Sequence, residues 1–110
     1  MQPDQAVRSL SALAQEHRLA AFRLLVQAGS EGIPAGMLAE KLGLPASSMS
    51  FHLSQLANAG LVSQRRESRS IIYTADYAAM DALMDYLTEN CCGGAPCAAV
   101  PSPAARREPA

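Results

Sequence analysis

Leu44-Pro45-Ala46-Ser47-Ser48-Met49-Ser50-Phe51-His52-Leu53-Ser54-Gln55-Leu56-Ala57-Asn58-Ala59-Gly60 is the stretch on which the fold turns. Met49, Leu53 and Leu56 recur at the spacing of one helical face and form a buried stripe. Ser47, Ser50, Phe51, Ser54 and Asn58 then fall on the opposite side. From Gly43 to Gln64 there is no Lys, Arg, Asp or Glu. A surface helix this rich in serine is a poor helix former, because the hydroxyls compete for nearby backbone groups. Something other than propensity accounts for it.

Downstream of Gly60 the period changes. Leu61 to Arg66 and Ser70 to Thr74 are short, β-branched-rich segments around Glu67-Ser68-Arg69, the pattern of a β-hairpin. Ser68 stands in that turn where a glycine would be the easier residue. A final helix is expected from about Ala75 to Cys92, with Tyr77, Met80, Met84, Leu87 and Cys91 as its apolar stripe and Gly93-Gly94 as its stop. Residues 95–110, rich in Ala and Pro, read as a flexible tail.

Upstream, Gly43 closes a short third helix entered at Pro34, with Leu38 and Leu42 facing the core. Ser30-Glu31-Gly32 reads as a turn. A second helix covers about Glu16 to Ala28, with Leu19, Phe22, Leu25 and Val26 inward. A first runs from about Asp4 to Ala14, with Asp4 as N-cap and Val7, Leu10, Leu13 and Ala14 on one stripe. The fold class is therefore mainly α with a small β-hairpin, in the order α-α-α-α-β-β-α. A helix-turn-helix followed by a hairpin is the winged helix-turn-helix arrangement, and the serine-rich helix is the element that would enter a major groove.

The bulk numbers fit this frame. A chain of 110 residues has room for one domain, and 49% apolar residues suffice for its core. The expected division is a DNA-binding and dimerisation domain over 1–92 and a tail over 93–110. Val7, Leu10 and Leu13 with Tyr77, Met80, Met84 and Leu87 exceed what one small core buries, so a homodimer through the first and last helices is expected. No run of eighteen apolar residues suggests a membrane span, and Met1-Gln2-Pro3-Asp4 lacks a secretory pattern. A cytoplasmic protein with reduced cysteines is the expectation. No paired carboxylates, nucleophile–base set or phosphate loop stand out, which argues against an enzyme. Net charge is −1, but it is polarised. Between Lys41 and Thr74, Lys41, Arg65, Arg66 and Arg69 stand against Glu67 alone, a local +3, and the rest carries −4. One face is thus offered to phosphates.

Three segments resemble the ArsR/SmtB family of bacterial metal-responsive repressors: Ala12-Leu13-Ala14-Gln15-Glu16-His17-Arg18-Leu19, Ser47 to Leu56 as quoted, and Ala59-Gly60-Leu61-Val62 leading into the arginine-rich wing. The likeness extends over about Ala6 to Gly94. Glu89-Asn90-Cys91-Cys92-Gly93-Gly94 is similar to arsenic-responsive branches. Two departures stand out. The familiar arsenic-sensing member carries Cys-x-Cys at the start of the third helix, where this chain has Ala35-Gly36-Met37-Leu38. Zinc-sensing members use Asp and His pairs on the last helix, and this one has Asp76, Asp81, Asp85 and Glu89 without histidine.

The candidate DNA contacts are Ser47, Ser48, Ser50, Phe51, His52 and Ser54 on the helix and Arg65, Arg66 and Arg69 on the wing. Serine hydroxyls donate and accept, so they suit phosphates or base edges, although Ser47 and Ser48 also suit helix capping. Phe51 either meets thymine methyls or is buried between helices. His52 matches a family position close to DNA but sits beside the buried stripe. The arginines suit phosphates or a minor groove, on a palindromic double-stranded operator, unless the hairpin tip is simply solvated.

Cys91, Cys92 and Cys97 are the candidate metal ligands. Soft thiolates select soft ions, and As(III) or Sb(III) prefers three thiolates in a pyramid. Side chains adjacent on a regular helix point about 100° apart, so Cys91 and Cys92 converge only if the helix end loosens, as Gly93-Gly94 allows. Other soft ions such as Cd or Zn, and redox or persulfide sensing, stay open as alternatives. So does a winged-helix protein-interaction module that does not bind DNA.

Overall fold

The computed structural model describes residues 1–94. The elements run α1 (Pro3–Leu13), α2 (Glu16–Ala28), β1 (Ile33–Pro34), α3 (Ala35–Leu42), α4 (Ala46–Asn58), β2 (Val62–Glu67), β3 (Ser70–Ala75) and α5 (Tyr77–Leu87). A 3₁₀ turn, Gly29–Glu31, follows α2, and a second, Cys91–Gly94, lies beyond α5. This is a winged helix-turn-helix, with α3 and α4 as the helix-turn-helix and β2–β3 as the wing. None of the helices among the described residues is long and apolar enough to cross a membrane. The expected tail over 95–110, and Cys97 with it, lies outside the described residues.

Leu25, Leu38, Met49, Leu53, Leu56 and Leu61 are fully buried and form the centre of the core. They come from α2, α3, α4 and the entry to the wing, so α4 is packed from below by its neighbours. Tyr77 at the start of α5 donates its hydroxyl to the Val26 carbonyl at 2.9 Å, tying α5 to the end of α2. Gly43 ends α3 in the left-handed conformation, which costs glycine nothing.

The sheet has three antiparallel strands in the order β1-β3-β2. The hairpin pairs Val62 with Ala75 through to Glu67 with Ser70, leaving Ser68 and Arg69 as the turn. Ser68 does take a positive φ of 56°, as the missing glycine implied. Strand β1 was not foreseen: only Ile33 and Pro34 pair, with Tyr73 and Ile72, and Pro34 reads as a helix entry. Two residues carry no period, and proline is tolerated because β1 is an edge strand. Gly32 makes the approach feasible, since a Cβ there would lie 2.4 Å from the Tyr73 carbonyl oxygen.

Both terminal helices correct the sequence reading. Helix α1 starts at Pro3 rather than with Asp4 as cap, because proline fits the first helical position. The Gln2 backbone N–H donates to the Gln5 side chain at 2.9 Å. Its buried face is Ala6, Ser9 and Ala12, while Val7 is 63% exposed and Leu10 and Ala14 also face outward. Small residues let α1 lie close to the body, and its large apolar residues point away. Leu19 on α2, expected inside, is exposed too.

Helix α5 was expected to reach Cys92 and ends at Leu87. Asp76 Oδ1 caps its start by accepting from Ala79 N–H at 3.0 Å. At the other end the Thr88 hydroxyl donates to the Met84 carbonyl at 2.9 Å, and Asn90 then takes φ 57°. Asparagine tolerates that left-handed geometry and so breaks the helix. The buried residue of α5 is Leu83, not the expected stripe; Met84 and Leu87 are 57% and 55% exposed.

Candidate nucleic-acid interface

Helix α4 buries Met49, Leu53 and Leu56 and presents Ser47, Ser50, Phe51, Ser54 and Asn58 to the outside. Proline 45 occupies the N-cap position and no side-chain bond caps the helix. Ser47 and Ser48 therefore lie inside the first turn and do not act as caps. Ser48 is half-buried, the others exposed. Phe51 is 58% exposed, so it is not buried between helices. Its ring stands edge-on to His52, with centroids 5.8 Å apart. The outward face is thus a serine surface around one aromatic, free of formal charge.

His52 turns inward from this face. Arg18 on α2 reaches its Nδ1 at 3.2 Å, and the His17 ring lies 5.7 Å away. Desolvation lowers the His52 pKa, and the Arg18 and His17 charges lower it further. The neutral imidazole, with Nδ1 accepting from Arg18, fits this setting. Arg18 also donates Nε–H to the Ala12 carbonyl at 2.7 Å, so one guanidinium joins α1, α2 and α4. In the sequence, His17 and Arg18 stand out only as part of the family-like segment Ala12 to Leu19. Nothing in the periodicity marks a residue whose partner lies 34 positions away.

The wing arginines divide by strand face. Arg65 donates through Nε to Glu67 at 2.6 Å and through its terminal nitrogens to the carbonyls of Ser30 at 3.3 Å and Glu31 at 2.8 Å. Its guanidinium, still at the surface, fastens the wing to the turn after α2. Arg66, on the other face of β2, and Arg69, in the turn, are exposed. These two are the wing cations best placed for phosphate.

The cysteines lie in an irregular turn outside α5. Cys92 and Gly93 take φ of 58° and 67°, and the Cys91 and Cys92 sulfurs approach to 3.6 Å. Both residues are exposed. Cys92 is disulfide-bonded, against the expectation of reduced thiols. Cys97, the third expected ligand, is outside the described residues. Among the described residues no group of three or more His, Cys, Asp or Glu is arranged to hold a metal ion.

A family model described as a helix-turn-helix domain matches residues 13–65. The HTH-type transcriptional regulator YgaV of Escherichia coli is 33% identical over 89 residues, spanning 81% of this chain and 88% of that protein. The structure of HlyU from Vibrio cholerae superposes with a TM-score of 0.66 at 31% identity, over 84% of this chain and 99% of that one. The homodimeric winged helix-turn-helix DNA-binding domain Mb0332 from Mycobacterium bovis, a possible ArsR-family transcriptional regulator, gives 0.63 at 29%, over 84% and 85%. The chain belongs to the ArsR/SmtB family. It is a winged-helix DNA-binding transcriptional regulator, not an enzyme. In a helix-turn-helix the second helix is the element that lies in the major groove, and α4 holds that position here. The helix-turn-helix match runs from the end of α1 into β2 and leaves the cysteine turn untouched.

Proposed function

We propose that this regulator is a homodimeric repressor of a palindromic operator, released when As(III) or Sb(III) binds Cys91, Cys92 and Cys97. The observation that carries the ligand is the 3.6 Å separation of the Cys91 and Cys92 sulfurs. Cys92 is disulfide-bonded here. Once it is reduced, two thiolates held at this spacing could share one ion, since bonds of about 2.3 Å place them roughly 3.3–3.8 Å apart. A regular helix would not bring neighbouring side chains together in this way; the left-handed residues beyond α5 support it. Thiolates are the donors a soft metalloid selects. The third sulfur is assigned to Cys97 by chemistry alone.

The dimer reading is supported by Val7 and Leu10 on α1 and Met84 and Leu87 on α5, all exposed. Where α1, α2 and α5 meet, an apolar groove of about 520 Å³ is lined by Leu13, Leu19, Phe22, Met80 and Leu83 among others. Exposed apolar area of this extent suits a protein surface, and the Mb0332 domain is described as homodimeric. A two-fold dimer places two α4 helices on two half-sites, hence a palindrome.

A second reading is favoured by the disulfide at Cys92: oxidation of two thiols, with two protons and two electrons passing to an oxidant, would then be the signal. Fluorescence anisotropy on labelled promoter DNA separates the two. Reduced protein should bind, and As(III) should release it with reductant still present. Cys91→Ser or Cys92→Ser should bind DNA and resist release, with Cys97→Ser milder. Release by peroxide but not by As(III) would replace the metalloid reading with the redox one.

A further inference from the structure

Beside the recognition helix, where α1, α2 and the C-terminal half of α4 meet, lies a concave pocket of about 310 Å³. Its polar lining is Arg8, Ser11, Arg18, Gln55 and Asn58, with no carboxylate among them. In a chain with ten acidic residues and a net charge of −1, such a lining is not a sample of the average surface. Two guanidiniums, two carboxamides and a hydroxyl bring donors to one concavity, the chemistry that holds a phosphate oxygen.

Arg18 is already oriented. Its Nε bonds the Ala12 carbonyl and a terminal nitrogen meets His52, which fixes the guanidinium plane at the pocket wall while leaving further N–H groups. Arg8, on the exposed side of α1, supplies the second charge. Asn58 links the pocket to the DNA-facing stripe, four residues beyond Ser54 on the same face of α4. A duplex seated on that stripe carries a sugar–phosphate backbone along its edge, and phosphate contacts of this kind fix register without reading sequence.

We propose that Arg8 and Arg18, with Gln55 and Asn58, form a pocket that clamps a phosphate of the operator backbone beside the recognition helix. This rests on the DNA-binding reading and adds a contact surface on α1 and α2. Arg8 is the residue to change, since Arg18 also braces the fold. Operator and random-sequence duplexes are titrated by anisotropy across a potassium chloride series with the wild type, Arg8→Ala, Arg8→Lys and, as a control on the wing, Arg66→Ala. Inorganic phosphate is titrated separately without DNA, followed by amide NMR shifts.

For Arg8→Ala the slope of log K against log salt should fall by about 0.9 per lost contact, hence roughly two for a homodimer. Operator and random DNA should weaken by the same factor, and Arg8→Lys should keep most of the slope. If Arg66→Ala weakens binding while Arg8→Ala matches the wild type, the pocket is not a DNA contact. Arg8-dependent shifts with free phosphate, alongside an unchanged DNA slope, would make it a small-anion site and overturn the proposal. If wild type binds no duplex at all, the DNA-binding reading itself falls.

Discussion

Helix α4 and the Cys91–Gly94 turn are both short and polar on the outside, yet they are built in opposite ways. Helix α4 is poor in propensity but stands on three fully buried side chains, Met49, Leu53 and Leu56. The cysteine turn has none; Cys91 and Cys92 are exposed and the backbone passes through the left-handed region at Asn90, Cys92 and Gly93. Packing holds the hydroxyl-bearing face of α4 rigidly, as presenting it to an operator would require. The cysteine turn lacks such packing, and under the proposed function a few bonds to a ligand would suffice to rearrange it. The wing lies between these extremes, with Arg65 tying it to the Ser30 and Glu31 carbonyls and Ser68 straining its tip.

This contrast can be broken most sharply at the core. Leu53→Ala should cost about 2–5 kcal/mol, the range for a buried leucine, measured by urea unfolding at a concentration that keeps the dimer. Cys91→Ser in the same assay should stay within about 0.5 kcal/mol, as surface changes do. A comparable loss in both would mean that the turn is structural after all.

On the wing, Arg65→Ala should lower stability by about 0.5–1.5 kcal/mol, since the bonds it removes are solvent-exposed, and should free the turn after α2. Hydrogen exchange should rise at β2, β3 and residues 29–31 together. Arg66→Ala and Arg69→Ala should leave exchange unchanged and weaken DNA binding uniformly across sequences.

A smaller effect is expected at the tip. Ser68→Gly should raise stability by up to about 1 kcal/mol, because glycine takes a positive φ without the Cβ clash. No gain in the urea midpoint would show that the turn is not strained.

The smallest effect concerns pH. The His52 pKa in the fold lies below its ordinary 6.5, so the unfolded chain binds the extra proton first. The stability from neutral His52 is complete above about pH 6.5 and is lost as pH falls through that value toward the folded pKa. His52→Gln should flatten this part of the stability profile. A wild-type profile with no fall there would contradict the arrangement with Arg18 and His17.

Much of α4 was legible because burial and period agree: residues 49, 53 and 56 leave one helical face inward. The hairpin was legible from its β-branched strands and short turn. The rest was hidden for particular reasons. Helix α1 packs through Ala6, Ser9 and Ala12, which hydrophobicity ranks below the outward Val7 and Leu10. Cys91 continues the α5 stripe in sequence, but the Thr88 hydroxyl and Asn90 backbone end the helix first. The bonds by which Arg65 fastens the wing were invisible because its carbonyl partners are 34 and 35 residues distant. Local geometry and long-range polar contacts leave no period to read.

If the loose turn governs the rigid surface, the two must share free energy. The direct test is calorimetric: As(III) affinity of the reduced dimer with and without saturating operator, and operator affinity with and without saturating As(III). Linkage requires both ratios to be the same factor, and the account predicts a weakening of about 5–150-fold in each direction. As(III) binding that leaves operator affinity unchanged would contradict it.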